Sequence, residues 1–198
     1  MVLYDAKASK QLDAAILKTG IHEVLLMMRA ASSIFNIVEN LKKVDRVISV
    51  AGPGSNGGDA HGVAILSAIA GKKTKIYSIG EISDESKKVA DFCGELGVMK
   101  LKSLPEPSEI SSSDVIIDGL FGSGLNRPPT GYFADAINWM NLARRNGAKV
   151  IAIDVPSGLN ASNGSTPGVA VKADFTVMCL SSKQGCYTDK APDLCGKL

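Results

Sequence analysis

The sequence predicts a three-layer α/β/α, Rossmann-like sandwich with a mainly parallel sheet and two N-terminal helices, and three observations predict it. Short runs rich in Val and Ile alternate with helix-patterned segments from residue 47 onward. Those runs are continuously apolar, as strands covered on both faces require. The first run, Val47-Ile-Ser-Val-Ala51, leads into Gly52-Pro-Gly-Ser-Asn-Gly-Gly-Asp59, a turn that opens a helix. With 198 residues, 45% hydrophobic and 21% charged, the chain can bury one core, so a single domain over residues 1–198 is expected.

Each element has its own local reason. Asp5 to Lys18 reads as a helix with Leu12, Ala15 and Ile16 on one face and Gly20 as its stop. A second helix follows directly, its apolar positions Leu25, Leu26, Ile34, Ile37, Val38 and Leu41 serving core packing or a subunit contact. The pattern then runs strand Val47 to Ala51, helix Asp59 to Ala70, strand Thr74 to Ile79, helix Asp84 to Leu96 and a short strand at Val98 to Leu101. After the polar connection 105–113 come strand Asp114 to Asp118, helix Tyr132 to Asn146, and strands Lys149 to Ile153 and Asp174 to Leu180. The tail from Ser181 has little helical periodicity and no obvious final element.

Composition narrows the function. Net charge is +2 from interspersed Lys and Arg, with no basic stripe to neutralise a nucleic-acid backbone. No stretch approaches the roughly 20 apolar residues of a membrane span, and the N-terminus lacks a leader pattern, so a soluble, cytoplasmic protein is expected. Cys93, Cys179, Cys186 and Cys195 form no C-x-x-C pair and read as free thiols, Cys179 as a buried one. Two histidines, His22 and His61, leave too few nitrogen or sulfur ligands for a zinc site.

Gly52, Gly54 and Gly57 satisfy G-x-G-x-x-G, which lets a backbone approach a pyrophosphate at a helix N-terminus. Right-handed crossovers bring two more loops to the same strand ends: Asp118 to Pro128 and Asp154-Val-Pro-Ser-Gly158. Gly122 and Gly124 form a second candidate phosphate cradle with Arg127 as a fork for anions. Asp59, Asp118 and Asp154 would repel one another and any phosphate unless protonated, hydrogen-bonded or neutralised by a cation. Oxygens from Asn56, Asp118, Ser157 and loop carbonyls suit an alkali or alkaline-earth ion. Against this, a lone Asp after a strand commonly caps a helix or forms a turn, and Arg127 could be a solvated turn residue. His61 reads as an ordinary first-turn polar residue, Lys183 as a surface lysine. Neither Ser123 nor Ser157 lies in G-x-S-x-G, so a serine hydrolase is disfavoured.

Taken in order, these loops resemble the NAD(P)H-hydrate epimerase family, the YjeF N-terminal domain. Leu26-Met-Met-Arg-Ala-Ala31 is similar to the family's L-M-E-x-A-G/A, and Gly52 to Asp59 to G-P-G-N-N-G-G-D. Asp118-Gly-Leu-Phe-Gly-Ser-Gly-Leu-Asn-Arg127 is similar to D-A-L-F-G-T-G-L-x-R, and Asp154 to Leu159 to D-I-P-S-G-L. Val171 to Thr176 with Lys183 resembles A-V-x-A-D-x-T and a following K.

The resemblance implies a potassium ion held by Asn56, Asp118 and Ser157. It also implies a hydrated dinucleotide, NADHX or NADPHX, held by Ser55, Asn56, Gly57, Gly58 and Asp59, by Gly122, Ser123, Gly124, Leu125, Asn126, Arg127 and Pro128, and by Asp154, which is the expected acid/base. The implied activity interconverts the R and S forms of the hydrate in nicotinamide-cofactor repair. Its implied partners are an ATP- or ADP-dependent dehydratase and a second copy of the chain. Two positions depart from the pattern: Ser55 replaces Asn, a small polar group still suited to a tight loop, and Met28 replaces Glu, altering a contact near the site or at a subunit interface. Two other readings stand beside this one: a non-catalytic nucleotide-binding or protein-interaction module of the same fold, and an NAD-dependent oxidoreductase with Glu81 on a ribose.

Overall fold

A computed structural model describes residues 2–188 and 190–198. The elements are β1 (Leu3–Tyr4), α1 (Ala6–Lys18), α2 (Glu23–Asn40), β2 (Arg46–Ala51), α3 (Ser55–Ile69), β3 (Lys73–Ser78), α4 (Asp84–Glu95), β4 (Met99–Lys100), β5 (Asp114–Gly119), α5 (Tyr132–Arg145), β6 (Lys149–Ile153), β7 (Phe175–Val177), β8 (Ser182–Lys183) and α6 (Ala191–Cys195). The main sheet has strand order β4-β3-β2-β5-β6-β7, with every neighbouring pair parallel. The chain builds outward from β2 to β4, then returns to add β5 on the other side of β2. Between β2 and β5, therefore, connections leave in opposite directions, and the crevice beyond their carboxyl ends is where such sheets bind ligands.

Alternation along the strands creates two cores. Val47 and Ala51 of β2, with Ile76, Val115, Ile117, Ile151 and Ile153, pack against α2, α3 and α4 through Ala31, Ile34, Val38, Ala60, Val63 and Val89. Ile48 and Val50, with Ile116, Val150 and Ala152, pack on the other face against α5 through Ala136, Ile137, Met140 and Ala143. The three-layer sandwich follows from that division.

Most boundaries fall within a residue or two of expectation, because capping marks them. Asp5 is not in α1 but caps it, its carboxylate accepting from Ala8 N at 2.7 Å. Gly20, at φ +92°, ends the segment. Ser83 caps α4 through Ser86 N. Four expectations need correction. The strand expected over Asp174 to Leu180 is confined to Phe175–Val177. Helix α3 begins at Ser55 rather than Asp59, so the glycine-rich stretch is mostly the helix's own first turn. In α2, Ile34 and Val38 are buried as expected but Leu25 is exposed, while Met27 and Ala31 fill the core. The tail does have structure: β8 pairs in parallel with β1, a 3₁₀ turn spans Gln184–Tyr187, and α6 follows. Two-residue strands and a single helical turn carry too little periodicity to be read from sequence.

Candidate functional site

At the switch point between β2 and β5 lies a cavity of about 610 Å³, walled by α1, α2, the first turn of α3, residues 120–127, Asp154 and the segment after β7. It has the size and place of a small-molecule site. Of the residues expected to bind a dinucleotide, Ser55, Asn56, Asp59, Gly122, Ser123, Gly124, Leu125, Asn126, Arg127 and Asp154 line it. Gly57, Gly58 and Pro128 do not. The amides of Gly57 and Gly58 both bond back to Gly54 O, and their α-carbons serve packing. A methyl group on Gly57 would lie 1.9 Å from Gly52 O, and one on Gly58 2.6 Å from the Met27 sulfur. The glycines let α3 start hard against β2, so that Gly54, Ser55 and Asn56 at its N-terminus line the cavity.

Asp154 follows β6 at φ +67°, a left-handed conformation that a non-glycine residue adopts at a cost of about 1–2 kcal/mol. Its surroundings hold it there. Asp154 N donates to Val177 O at 2.8 Å, its Oδ2 accepts from Ser123 N at 3.1 Å, and its Oδ1 accepts from Cys179 N at 3.2 Å. Lys183 completes the grip: its ammonium pairs with Asp154 Oδ1 and donates to Cys179 O at 2.5 Å. Lys183 is 2% exposed, so the expectation of a surface lysine is corrected. It was misplaced because β8, a two-residue strand beside β1, turns that side chain inward, and no local periodicity reveals such a strand. The D-x-T-and-K pattern in the tail was the available signal.

Asp118 sits differently from Asp59 and Asp154, which line the cavity. It is fully buried behind the wall, with Oδ1 accepting from Ser157 Oγ at 2.6 Å and Leu120 N at 3.3 Å, and Oδ2 from Ser157 N at 2.8 Å. Burial pushes its carboxyl up to about 6, with the Ser157 and Leu120 hydrogen bonds opposing. The three strand-end aspartates therefore do not meet at one point: Asp59 and Asp154 face the cavity, Asp118 lies beneath it.

Around Asp118 the oxygens nevertheless suit a hard cation. Asn56 Nδ2 donates to Ile153 O at 3.2 Å, leaving its Oδ1 turned toward Gly122 and without a hydrogen-bond donor. Gly119, beside Asp118, packs on the backbone oxygen of Asn56, and Ser157 Oγ joins Asp118 to Phe121 N. A buried carboxylate held only by neutral donors, with the Asn56 backbone oxygen against the neighbouring Gly119, is chemistry that suits an oxygen-coordinated monovalent or divalent cation. Among the described residues no group of three His, Cys, Asp or Glu is arranged to hold a metal, so an ion here would combine the single Asp118 carboxylate with amide, hydroxyl and carbonyl oxygens.

Residues that sequence reasoning did not connect with the site include Lys10 and Asp13 on α1 and Glu23 on α2, which line the cavity, with Ser55 Oγ donating to Glu23 at 2.7 Å. Burial raises Asp13 above the usual carboxylate range, with Lys183 opposing. Cys179 also lines the wall; burial first, then Asp59 and Asp154, raise its thiol well above its ordinary value. Glu81 does not line the cavity. His61 is itself a residue of α3, 2% exposed and off the cavity wall, with Nδ1 donating to Gly57 O at 2.7 Å and Nε2 3.3 Å from Ser78 Oγ. Met28 packs on α3 near Gly62 and does not line the cavity, so its departure from the family pattern lies in helix packing. Among the described residues no helix is long and apolar enough to cross a membrane.

Residues 23–185 match the family described as YjeF-related protein N-terminus. A protein of Limosilactobacillus fermentum named NAD(P)H-hydrate epimerase is 36% identical over 183 residues, covering 90% of this chain and 85% of that protein. A Coxiella burnetii protein named bifunctional NAD(P)H-hydrate repair enzyme Nnr is 34% identical over the whole chain, which spans 40% of its length. A crystal structure of the yeast protein ynu0 superposes with a TM-score of 0.83 at 18% identity, covering 96% of this chain and 85% of that one, a likeness of fold.

Proposed function

Because this chain belongs to the YjeF-related N-terminal family, we propose that it is an NAD(P)H-hydrate epimerase, an isomerase acting on the R and S forms of NADHX and NADPHX. The observation that supports this most directly is the placement of Asp154. A carboxylate held in a left-handed turn by two amides and a buried lysine faces a cavity between two glycine-bearing loops.

In the substrate, a hydroxyl sits beside the ring nitrogen. The nitrogen lone pair can expel it as water once a proton is supplied, leaving a planar iminium that water re-enters from the other face. Asp154 is the group that touches the reacting centre and handles the proton. The free amides at the start of α3 and the 122–127 loop, with Arg127, hold the pyrophosphate and orient the ring. Asn56, Asp118 and Ser157 would hold a potassium ion, which would supply positive charge to offset the aspartates and the substrate's phosphates.

The S product feeds an ATP- or ADP-dependent dehydratase, a pairing supported by the bifunctional name of the Coxiella relative. Four free thiols support a reducing, cytoplasmic setting. A homodimer would cover apolar side chains such as Leu25, exposed on α2.

The test mixes R-NADPHX with the chain, an S-specific dehydratase and ATP, and follows NADPH recovery with potassium or choline as the cation. Recovery above the uncatalysed rate is expected. Dinucleotide binding with no acceleration would instead favour the non-catalytic module, and consumption of NADPH with a second substrate the oxidoreductase.

A further inference from the structure

Asp59 is an acid that the fold itself does not use. It is 8% exposed and lines the cavity from α3, and its carboxyl group makes no hydrogen bond or ion pair with any described residue. A buried carboxyl left without donors is costly in its charged form. Accordingly burial first, then the neighbouring charges of Asp154, Glu23 and Asp13, push it well above the usual carboxylate range, with Lys183 opposing. Asp154 is its opposite, surrounded by Ser123 N, Cys179 N and the Lys183 ammonium. Two carboxyl groups in contrasting environments thus border one cavity, the arrangement that divides acid and base roles.

The chemistry asks for such a pair. Inversion requires the hydroxyl to leave from one face of the ring and water to arrive at the other, so a proton is delivered on one side and removed on the opposite side. A single carboxyl group lies on only one of them.

We propose that Asp59 is a second catalytic residue, the acid–base partner of Asp154 across the ring of the hydrated nicotinamide. This rests on the epimerase reading. In one direction Asp59 gives its proton to the hydroxyl, the carbon–oxygen bond breaks, water departs, and the ring nitrogen lone pair forms the iminium. Water then bonds to the same carbon from the other face and yields a proton to Asp154. Asp59 is left as carboxylate and Asp154 as acid, the state primed for the reverse direction, and proton exchange with solvent restores the first. The charged and titratable groups around the pair are Asp13 from α1, Glu23 from α2, and Cys179 and Lys183 from the segment after β7, with Lys10, Arg29 and Arg127 elsewhere on the cavity wall.

The test compares Asp59→Asn and Asp154→Asn with the unaltered chain in ¹⁸O-labelled water containing potassium, using purified R- and S-NADPHX separately. Asp59→Asn should lower kcat for epimerisation by about 100-fold or more with KM changed by less than about threefold. Its thermal midpoint should not fall, because the change removes an unpartnered acid. Each variant should still exchange the hydroxyl oxygen of one epimer without inverting it, and the two variants should retain exchange in opposite epimers. A structural role would not produce that split. Full turnover by Asp59→Asn, or exchange of both epimers or of neither by that variant, overturns the proposal. No turnover by the unaltered chain would defeat the epimerase reading itself, and the proposal with it.

Discussion

Replacing Lys183 by Met tests the grip on Asp154 most directly. The substitution keeps the length of the side chain and removes the one cation paired with a carboxylate that is itself 10% exposed. Asp154 is left with two neutral amide donors, from Ser123 and Cys179, and Cys179 O loses its ammonium. Removing one partner of a buried pair costs about 3–5 kcal/mol, because the other charge stays behind in a poorly solvating place. For 198 residues the unfolding entropy is about 0.4 kcal/mol/K, so the midpoint should fall by roughly 7–12 °C. The assay is thermal unfolding of Lys183→Met, Asp154→Asn and the double variant. If the loss comes from a stranded charge, the double variant should recover about 2 kcal/mol relative to the sum of the single changes. A Lys183→Met protein that melts with the unaltered chain, or a double variant whose loss is merely additive, would refute the reasoning.

Three further outcomes follow from named contacts. Gly57→Ala, which drives a methyl into Gly52 O, should cost about 1–3 kcal/mol or more in urea titration, whereas Gly54→Ala, with nothing within 4 Å, should change little. Burial lowers the pKa of His61, so the unfolded chain binds that proton first; its contribution to stability is complete above about pH 6.5 and is lost as pH falls below it. His61→Gln should flatten the stability profile between pH 7 and 5, and an unchanged slope would contradict this. Potassium chloride should raise the thermal midpoint above that in choline chloride at equal ionic strength by roughly 2–7 °C at saturating ion, the equivalent of about 1–3 kcal/mol, and Asp118→Asn should abolish the difference. Equal midpoints in the two salts would remove the case for the ion.

The parallel sandwich was legible because its strands are long enough to show their character. Five-residue and six-residue runs such as Lys149–Ile153 and Asp114–Gly119 must be apolar on both faces, and Ser83 and Gly20 mark helix ends by local chemistry. The loop addresses were legible too, since crossover handedness places the ends of β2, β5 and β6 on one edge. What could not be read was the division of labour among residues sharing that edge. Gly57 and Gly58 look like ligand-binding glycines in the motif, yet the α3 helix consumes their amides and the neighbouring backbone and Met27 fill the space where side chains would be.

By itself, then, the amino-acid order determined the layer architecture, the three converging loops and the family, because those depend on periodicity and on motifs a few residues long. Only the tertiary structure decided that Lys183 is buried against Asp154, that Asp118 lies beneath the cavity with Ser157, and that Asp59 faces it without a partner. Burial and charge pairing join residues distant in sequence, such as Asp59 with Asp154 and Lys183, and a carboxyl group takes its chemical character from those neighbours rather than from its place in the chain.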